Sequence, residues 1–365
     1  MPKESNRRHF LDIPFTKWSG AGNTFLLVTA ADLSSAGRGN AHPEEEDCAP
    51  GAPMGIDLAK AACSTAKSAP GADGLLLIRE STDIRVAGDR EQEVEADFWN
   101  RDGSPAAFCG NGARCLAAWA LARTGAPRVR GRLASTKFEG WREGEEIAIR
   151  VPSPRLLARF AAKELLHDAS PLAPRLREAA WIDSGVPHLC LLLEVREKEA
   201  APGSRKEGLA TAPPLDREVL ERLGRELRTD ARFAPEGTNV DFVWDEGGGE
   251  PPAGLRAPSA AECADRAAAK GSRETGPNRI PRLRLETFER GLESLSPACG
   301  SGALAVGFLL LEREMAGRVQ MTMSSGERLS VEKNGPAWML RGPAVPLARG
   351  VYRWERIIPS ASPPC

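Results

Sequence analysis

The sequence has no surplus of charge of either sign: 49 Lys and Arg stand against 50 Asp and Glu in 365 residues. A dedicated binder of nucleic acid or of an anionic membrane surface shows a basic excess, so neither partner is expected. There is also no apolar run of the roughly 20 residues that a bilayer demands; LCLLLEV from Leu189 and ALAVGFLLLE from Ala303 fall far short. The opening MPKESNRRHFLDIPF lacks the apolar core of a secretion signal, which points to the cytoplasm. Histidines number four and lie scattered, and no Cys/His group has zinc spacing, so no metal is expected. Nucleotide-binding patterns are missing too, GRGNAH at 37–42 being neither a Rossmann nor a P-loop turn. No lysine stands out as an anchor for pyridoxal phosphate, and no cofactor is expected. The eight cysteines are too irregularly spaced for a disulfide framework. In a reducing compartment they are thiols, and a reactive one is worth seeking.

What is present is a chain of short β-like segments. FLLVTA from Phe25, GLLLIRE from Gly74, DIRVAGD from Asp83, EIAIRV from Glu146, TNVDFVW from Thr238, RVQMTMS from Arg318 and WMLRG from Trp338 are separated by turn residues. Clear helical patterns are few. DREVLERLGREL, from Asp216, puts Val219, Leu220, Leu223 and Leu227 on one face. Three stretches, 34–55, 246–278 and the tail PSASPPC, are rich in Gly, Pro, Ala and charge without apolar periodicity and read as insertions or loops, with a short Ala-rich helix over 260–270 as the alternative in the second. The fold class expected is α+β, mostly strand.

An internal repeat runs through the sequence. SGAGNTFLLV (19–28) has a counterpart in DSGVPHLCLLL (183–193), GADGLLLI (71–78) in EGTNVDFV (236–243), and DFWNRDGSPAAFCGNGA (97–113) in TFERGLESLSPACGSGA (287–303), in the same order. Each copy ends on a Cys-Gly-x-Gly turn, CGNG from Cys109 and CGSG from Cys299, followed by a helix-forming run. The two cysteines therefore fall at helix N-termini, where the macrodipole and unpaired amides favour a thiolate and can hold a carboxylate. One such thiol suggests a nucleophile. Two, one per copy, suggest an acid and a base acting on opposite faces of one carbon, which inverts a stereocentre. The other six cysteines, Cys48, Cys63, Cys115, Cys190, Cys263 and Cys365, read as small apolar residues or loop positions.

These motifs resemble the diaminopimelate epimerase family, whose members need no cofactor. The matching stretches are FTKWSGAGNTF, GADGLLL, FWNRDGSPAAFCGNGARC, SGVPH, PEGTNV and FERG…ACGSGA, spanning residues 15 to about 305. The resemblance implies two pseudo-symmetric lobes, each a closed β-roll around a central helix, with the active site in the cleft between them. It places the N-terminal lobe at 1–152 with a return strand near 345–358, and the C-terminal lobe at 153–344 with the insertion 246–278. It further implies that Cys109 and Cys299 are the acid/base pair. Asn23, Asn100, Asn239, Glu289 and Arg290 would bind substrate, and the backbone amides at Gly110, Asn111, Gly300 and Ser301 would hold the reacting carboxylate. His188 and Glu289 would tune the thiols. The chemistry of these types agrees: Arg290 can grip a carboxylate in a bidentate fork and Glu289 can receive an ammonium group.

The implied reaction converts LL-2,6-diaminoheptanedioate to the meso form, in lysine and peptidoglycan-precursor synthesis. The partner is then a small amino acid, and a homodimer is compatible with the sequence. Three positions depart from the family pattern: Val186 stands where Asn is usual, Gly74 where Gln is usual, and Ser294-Leu295-Ser296 where a Gly-Glu-Thr run is usual. These keep two alternatives open: a racemase of another polar amino acid with the same two thiols, and an inactive ligand-binding paralogue. Two thiols serving one carbon are also expected to join reversibly under oxidants.

Overall fold

The computed structural model describes residues 7–38, 52–86, 89–106, 108–167, 170–194, 215–246, 280, 282–312 and 316–358. The chain divides into two compact units, one formed by Met1–Val151 with Arg341–Cys365 and the other by Pro152–Leu340.

In the first unit the strands are β1 (Arg7–Gly20), β2 (Asn23–Thr29), β3 (Gly74–Val86), β4 (Asp89–Asn100), β5 (Arg128–Leu133), β6 (Thr136–Glu143), β7 (Glu146–Val151) and the late strand β17 (Val345–Ile358). β17 pairs antiparallel with β1, and β1 antiparallel with β2. A parallel step then joins β2 to β3, and β4 runs antiparallel to β3. A second parallel step joins β4 to β5, followed by the antiparallel pairs β5–β6 and β6–β7. Helix α3 (Gly110–Thr124) touches every strand from β1 to β7, and all its residues from Gly110 to Leu121 are buried. Its sequence GNGARCLAAWALA explains this. Apart from Asn111 and Arg114 its residues up to Ala122 are small or apolar on every side, and such a helix has no face to offer to water and must be enclosed.

The strands β2 and β3 are continuous apolar runs, FLLV and LLLI, because both of their faces are covered. Phe25 reaches Gly112 of α3 and stacks edge-on against Phe98. Leu26, Val28, Leu75 and Leu77 join a second cluster with Leu33, Leu58 and Ala59. These last come from α1 (Ala30–Arg38) and α2 (Ala52–Ala62). The expectation of an irregular insertion over 34–55 is thereby corrected at both its ends, which are helical; 39–51 lie outside the described residues. The anchoring leucines stand just beyond the Gly- and Pro-rich window, so composition hid the helix ends. A second correction concerns GLLLIRE and the DIRV of DIRVAGD, which form one strand, β3, with a bulge between Ile78 and Glu80; 87–88 lie outside the described residues and Asp89 opens β4.

The second unit repeats the same succession of pairings. Its strands are β8 (Arg155–Phe160), β9 (Leu176–Asp183), β10 (Pro187–Leu193), β11 (Asn239–Asp245), β12 (Arg282–Glu289), the short β13 (Ser294–Leu295), β14 (Ala316–Thr322), β15 (Arg328–Asn334) and β16 (Ala337–Gly342). β8–β9–β10 are antiparallel, β10–β11 parallel, β11–β12 antiparallel, β12–β14 parallel and β14–β15 antiparallel. A one-turn helix α4 (Ala162–Leu165) follows β8. The outer helix α5 (Arg217–Arg228) buries Leu220, Leu223 and Leu227 against Phe242, Phe288 and Leu295. Each such leucine stabilises by about 1.5–3 kcal/mol. The inner helix α6 (Gly300–Leu311) is apolar all round and packs on β9, β10, β11, β14 and β15. Most of 246–278 and the tail lie outside the described residues. Among the described residues no helix is long and apolar enough to cross a membrane.

Candidate active site

In the first unit Cys109 caps α3. Its extended backbone (φ −144°, ψ 113°) ends the preceding loop, and its Sγ accepts the N–H of Gly112 at 3.4 Å. Strand register carries two asparagines to this end of the sheet. Phe25 of β2 and Asn100 of β4 both pair with Gly74, and Asn23 lies two residues before Phe25. Asp73 fastens these turns: its carboxylate accepts the N–H and hydroxyl of Thr24 (2.8 and 3.1 Å) and pairs with the Arg101 guanidinium at 2.6 Å. The Asn100 amide donates to Ser104 Oγ at 3.0 Å.

The side chain of Asn111 points inward. Its Nδ2 donates to Asn23 Oδ1 at 2.7 Å, and its Oδ1 accepts Nη2 of Arg114 at 2.8 Å. Arg114 is fully buried, and burial pulls its guanidinium down to about 10, opposed by the thiols of Cys115 and Cys109 and by Glu146. A buried cation thus stands within electrostatic reach of Cys109.

The second unit presents a different cluster at the matching place. Cys299 caps α6 with φ −128° and ψ 108°; its Sγ accepts the N–H of Gly302 at 3.3 Å and lies 3.4 Å from Ser301 Oγ. The Ser301 hydroxyl is 3.0 Å from Nε2 of His188. His188 Nδ1 is 2.8 Å from Asp241 Oδ2, and Asn239 Nδ2 is 3.1 Å from Nε2. The Asp241 carboxylate also accepts the Thr287 hydroxyl at 2.7 Å and the Cys190 thiol at 3.5 Å. A carboxylate buried without water is costly unless satisfied, and these donors satisfy it. Cys299 is buried, and burial pushes its thiol well above the ordinary range; Glu289 and Asp241 push the same way, while the Ser301 and Gly302 hydrogen bonds oppose them. Among the described residues the charges named in this balance are acidic, in contrast to the neighbourhood of Cys109.

The remaining expected residues sit at the same end of the second unit. Asn239 pairs with His188 across β10 and β11, and Phe288, beside Glu289, pairs with Val240. Both ends of the Asn239 amide are engaged within the protein, since its Oδ1 accepts the backbone N–H of Arg290 at 2.8 Å. The Arg290 guanidinium donates to the Glu236 carbonyl at 3.1 Å. Gly300 and Ser301 open α6 as Gly110 and Asn111 open α3.

Sequence reasoning missed Asp241, Arg114, Asp73, Arg101 and Ser184, whose hydroxyl holds the Ser301 carbonyl at 2.9 Å. For two of these a signal existed. Asp241 interrupts the apolar strand NVDFVW, and Arg114 interrupts an Ala- and Leu-rich helix. An ionisable group in such a place is almost always partnered. Cys190, a small apolar residue by its sequence context, is buried as expected and in addition donates its S–H to Asp241.

No protein-family model matches the chain. Among characterised proteins it is similar to a diaminopimelate epimerase of Hydrogenobaculum sp., 25% identical over 347 residues that cover 93% of this chain and 98% of that one. It is also similar to an O-ureido-serine racemase of Streptomyces lavendulae, 28% identical over 354 residues, 93% of this chain and 95% of the other. Among solved structures, a hydroxyproline epimerase of Agrobacterium vitis superposes with a TM-score of 0.51 at 12% identity, over 94% of this chain and 92% of that one, which speaks for a common fold. By these likenesses the chain is an enzyme of the amino-acid epimerase and racemase class. Its resemblance to the diaminopimelate epimerases, seen first in short motifs, extends over nearly the whole sequence.

Proposed function

We propose that the chain epimerises LL-2,6-diaminoheptanedioate to the meso isomer with two thiols, Cys109 and Cys299, acting on opposite faces of one α-carbon. The observation that carries this reading is the pair of cysteine caps. Cys109 and Cys299 each end an extended segment, each accept the amide three residues on, and each open a buried helix. In the proposed step a thiolate removes the α-proton and becomes a thiol. The electron pair is delocalised into the carboxylate, whose charge is met by amides at the helix N-termini. The opposite thiol gives its proton to the other face and becomes a thiolate, so the enzyme ends with its two protonation states exchanged.

A second reading keeps this mechanism and changes the substrate to another polar amino acid. Val186 offers no side-chain hydrogen bond, and Leu295 is buried in the core against α5 rather than polar. The likeness to an O-ureido-serine racemase points the same way.

The experiment is proton NMR of the reduced protein with LL-diaminopimelate in deuterated water. Deuterium entering one α-position as the meso isomer appears supports the first reading. Exchange seen only with other amino acids in a panel supports the second. Exchange with none, or turnover that survives Cys109→Ala or Cys299→Ala, overturns the two-thiol mechanism.

A further inference from the structure

The buried cluster around Cys299 fixes the hydrogen positions of its members by elimination. The backbone N–H of Arg290 can only donate, so the atom of Asn239 facing it at 2.8 Å is the oxygen. The Asn239 NH2 group is then the one 3.1 Å from His188 Nε2, and it too can only donate. Nε2 is therefore an acceptor, and the ring proton sits on Nδ1, donated to Asp241 at 2.8 Å. Asp241 is itself held by Thr287 and Cys190. Asn239 and Asp241, themselves held by Arg290, Thr287 and Cys190, thus lock one histidine tautomer in a place with no exposure to solvent, His188 and Asp241 both being 0% exposed.

The Ser301 hydroxyl is the one group of the cluster whose proton has two places to go. It lies 3.0 Å from His188 Nε2 and 3.4 Å from Cys299 Sγ. We propose that Ser301 is a two-position hydroxyl switch that serves both protonation states of Cys299, with His188, Asn239 and Asp241 as the positioning residues that keep the resting position available. When Cys299 is a thiol, its S–H donates to Ser301 Oγ while the hydroxyl points at Nε2 and shares its single lone pair with the Asn239 amide. When Cys299 is a thiolate, the hydroxyl turns and donates to sulfur, and Asn239 alone serves Nε2. Only a C–O rotation is involved, and His188 gains no proton. In a thiol that changes state at every turnover, the S–H wants an acceptor in one state and the sulfur an added donor in the other, and a hydroxyl can serve as both; in this the switch rests on the two-thiol reading. The charged and titratable groups facing Cys299 are Glu289 on β12, Asp241 on β11 and Cys190 on β10. All three are acids, so Ser301 and the Gly302 amide are its neighbouring donors in the thiolate state.

The test measures alkylation of Cys299 by iodoacetamide against pH, read by peptide mass spectrometry, in the wild type, Ser301→Ala and Ser301→Thr. A hydrogen bond to an anion is worth more than one to a neutral thiol, by enough to move the onset up by about one pH unit in Ser301→Ala, or roughly 10-fold in rate at a given pH. Ser301→Thr keeps the hydroxyl and should keep the wild-type onset, and Cys109 in the same samples should not shift. An unmoved onset in Ser301→Ala, or a threonine variant that behaves like alanine, overturns the switch. Nitrogen-15 NMR of the four histidines at pH 8 gives a second readout on the wild type. A proton found on Nε2 of His188 also overturns it. Neither readout needs turnover. A chain that epimerises nothing yet gives both results keeps the switch and loses the two-thiol reading, and turnover with an unmoved onset does the reverse.

Discussion

The glycine three positions after each cysteine invites one substitution with two opposite outcomes. At Gly302 an added Cβ would stand 2.6 Å from Asp241 Oδ1 and 3.0 Å from Thr287 Oγ1. Neither atom can retreat without stretching their mutual 2.7 Å bond and the contact of Asp241 with His188. Overpacking of this kind costs about 1–3 kcal/mol, and weakening a hydrogen bond to a buried carboxylate adds to it. Against this stands the ~0.5–1 kcal/mol that alanine gains over glycine in a helix. The net expectation for Gly302→Ala is a loss of about 2 kcal/mol. At Gly112 the nearest atoms to an added Cβ are Leu133 Cδ2 at 3.4 Å and Cys109 Cβ and Phe25 Cε1 at 3.6 Å, which are ordinary contacts. Gly112→Ala should keep the helix gain. In a unit of this size 1 kcal/mol moves the melting temperature by about 2–4 °C. Scanning calorimetry should therefore show Gly302→Ala melting roughly 4–8 °C below the wild type and Gly112→Ala at or slightly above it. Equal losses in the two variants would refute the steric argument.

Alkaline pH gives a second expectation. Burial pushes the Cys63 thiol up to about 12, with Asp73 adding to the effect and Arg101 and Lys17 opposing it. The folded chain thus keeps a proton that the unfolded chain releases near pH 8.5, so stability is intact below that pH and falls as pH rises toward 12. Urea titrations between pH 7.5 and 10 should give a slope that Cys63→Ala makes shallower by ~1.4 kcal/mol per pH unit above pH 9; an unchanged slope contradicts the assignment. The two-thiol reading also expects mild oxidants to inactivate the enzyme with loss of two thiols, Cys109 and Cys299, and dithiothreitol to restore it. Thiol counting and peptide mapping check this, and inactivation without that pair overturns it.

The sequence was informative wherever one residue type has one physical use. Strands over Glu146–Val151 and Asn239–Asp245, the amphipathic α5 and the two cysteine-capped helices could be read from period and turn residues. α1 and α2 could not, because the leucines that anchor them lie at the edges of a Gly- and Pro-rich stretch. β3 was split in two because RESTD looks like a turn, while in the sheet it is held by pairing with Gln92–Glu95 of β4. At the site, the cysteines, His188 and the asparagines stood out by motif. Their partners did not: Asp241 reaches His188 across 53 positions and Ser301 reaches it across 113, and no local pattern encodes such a contact.

The pairing of β17 with β1 has a consequence for how the protein is made. Thirteen register pairs, from Arg7↔Ile358 to Ser19↔Val345, join the two ends of the described chain. A ribosome releases β1 first and β17 last, so through nearly the whole of synthesis β1 presents an open edge of unpaired amides and carbonyls. The second unit is drawn from one continuous stretch, Pro152–Leu340, and can close before its elder neighbour. The unit that is translated first is thus the one completed last, and a released chain truncated after Leu340 would carry all of the second unit together with a first unit that lacks β17.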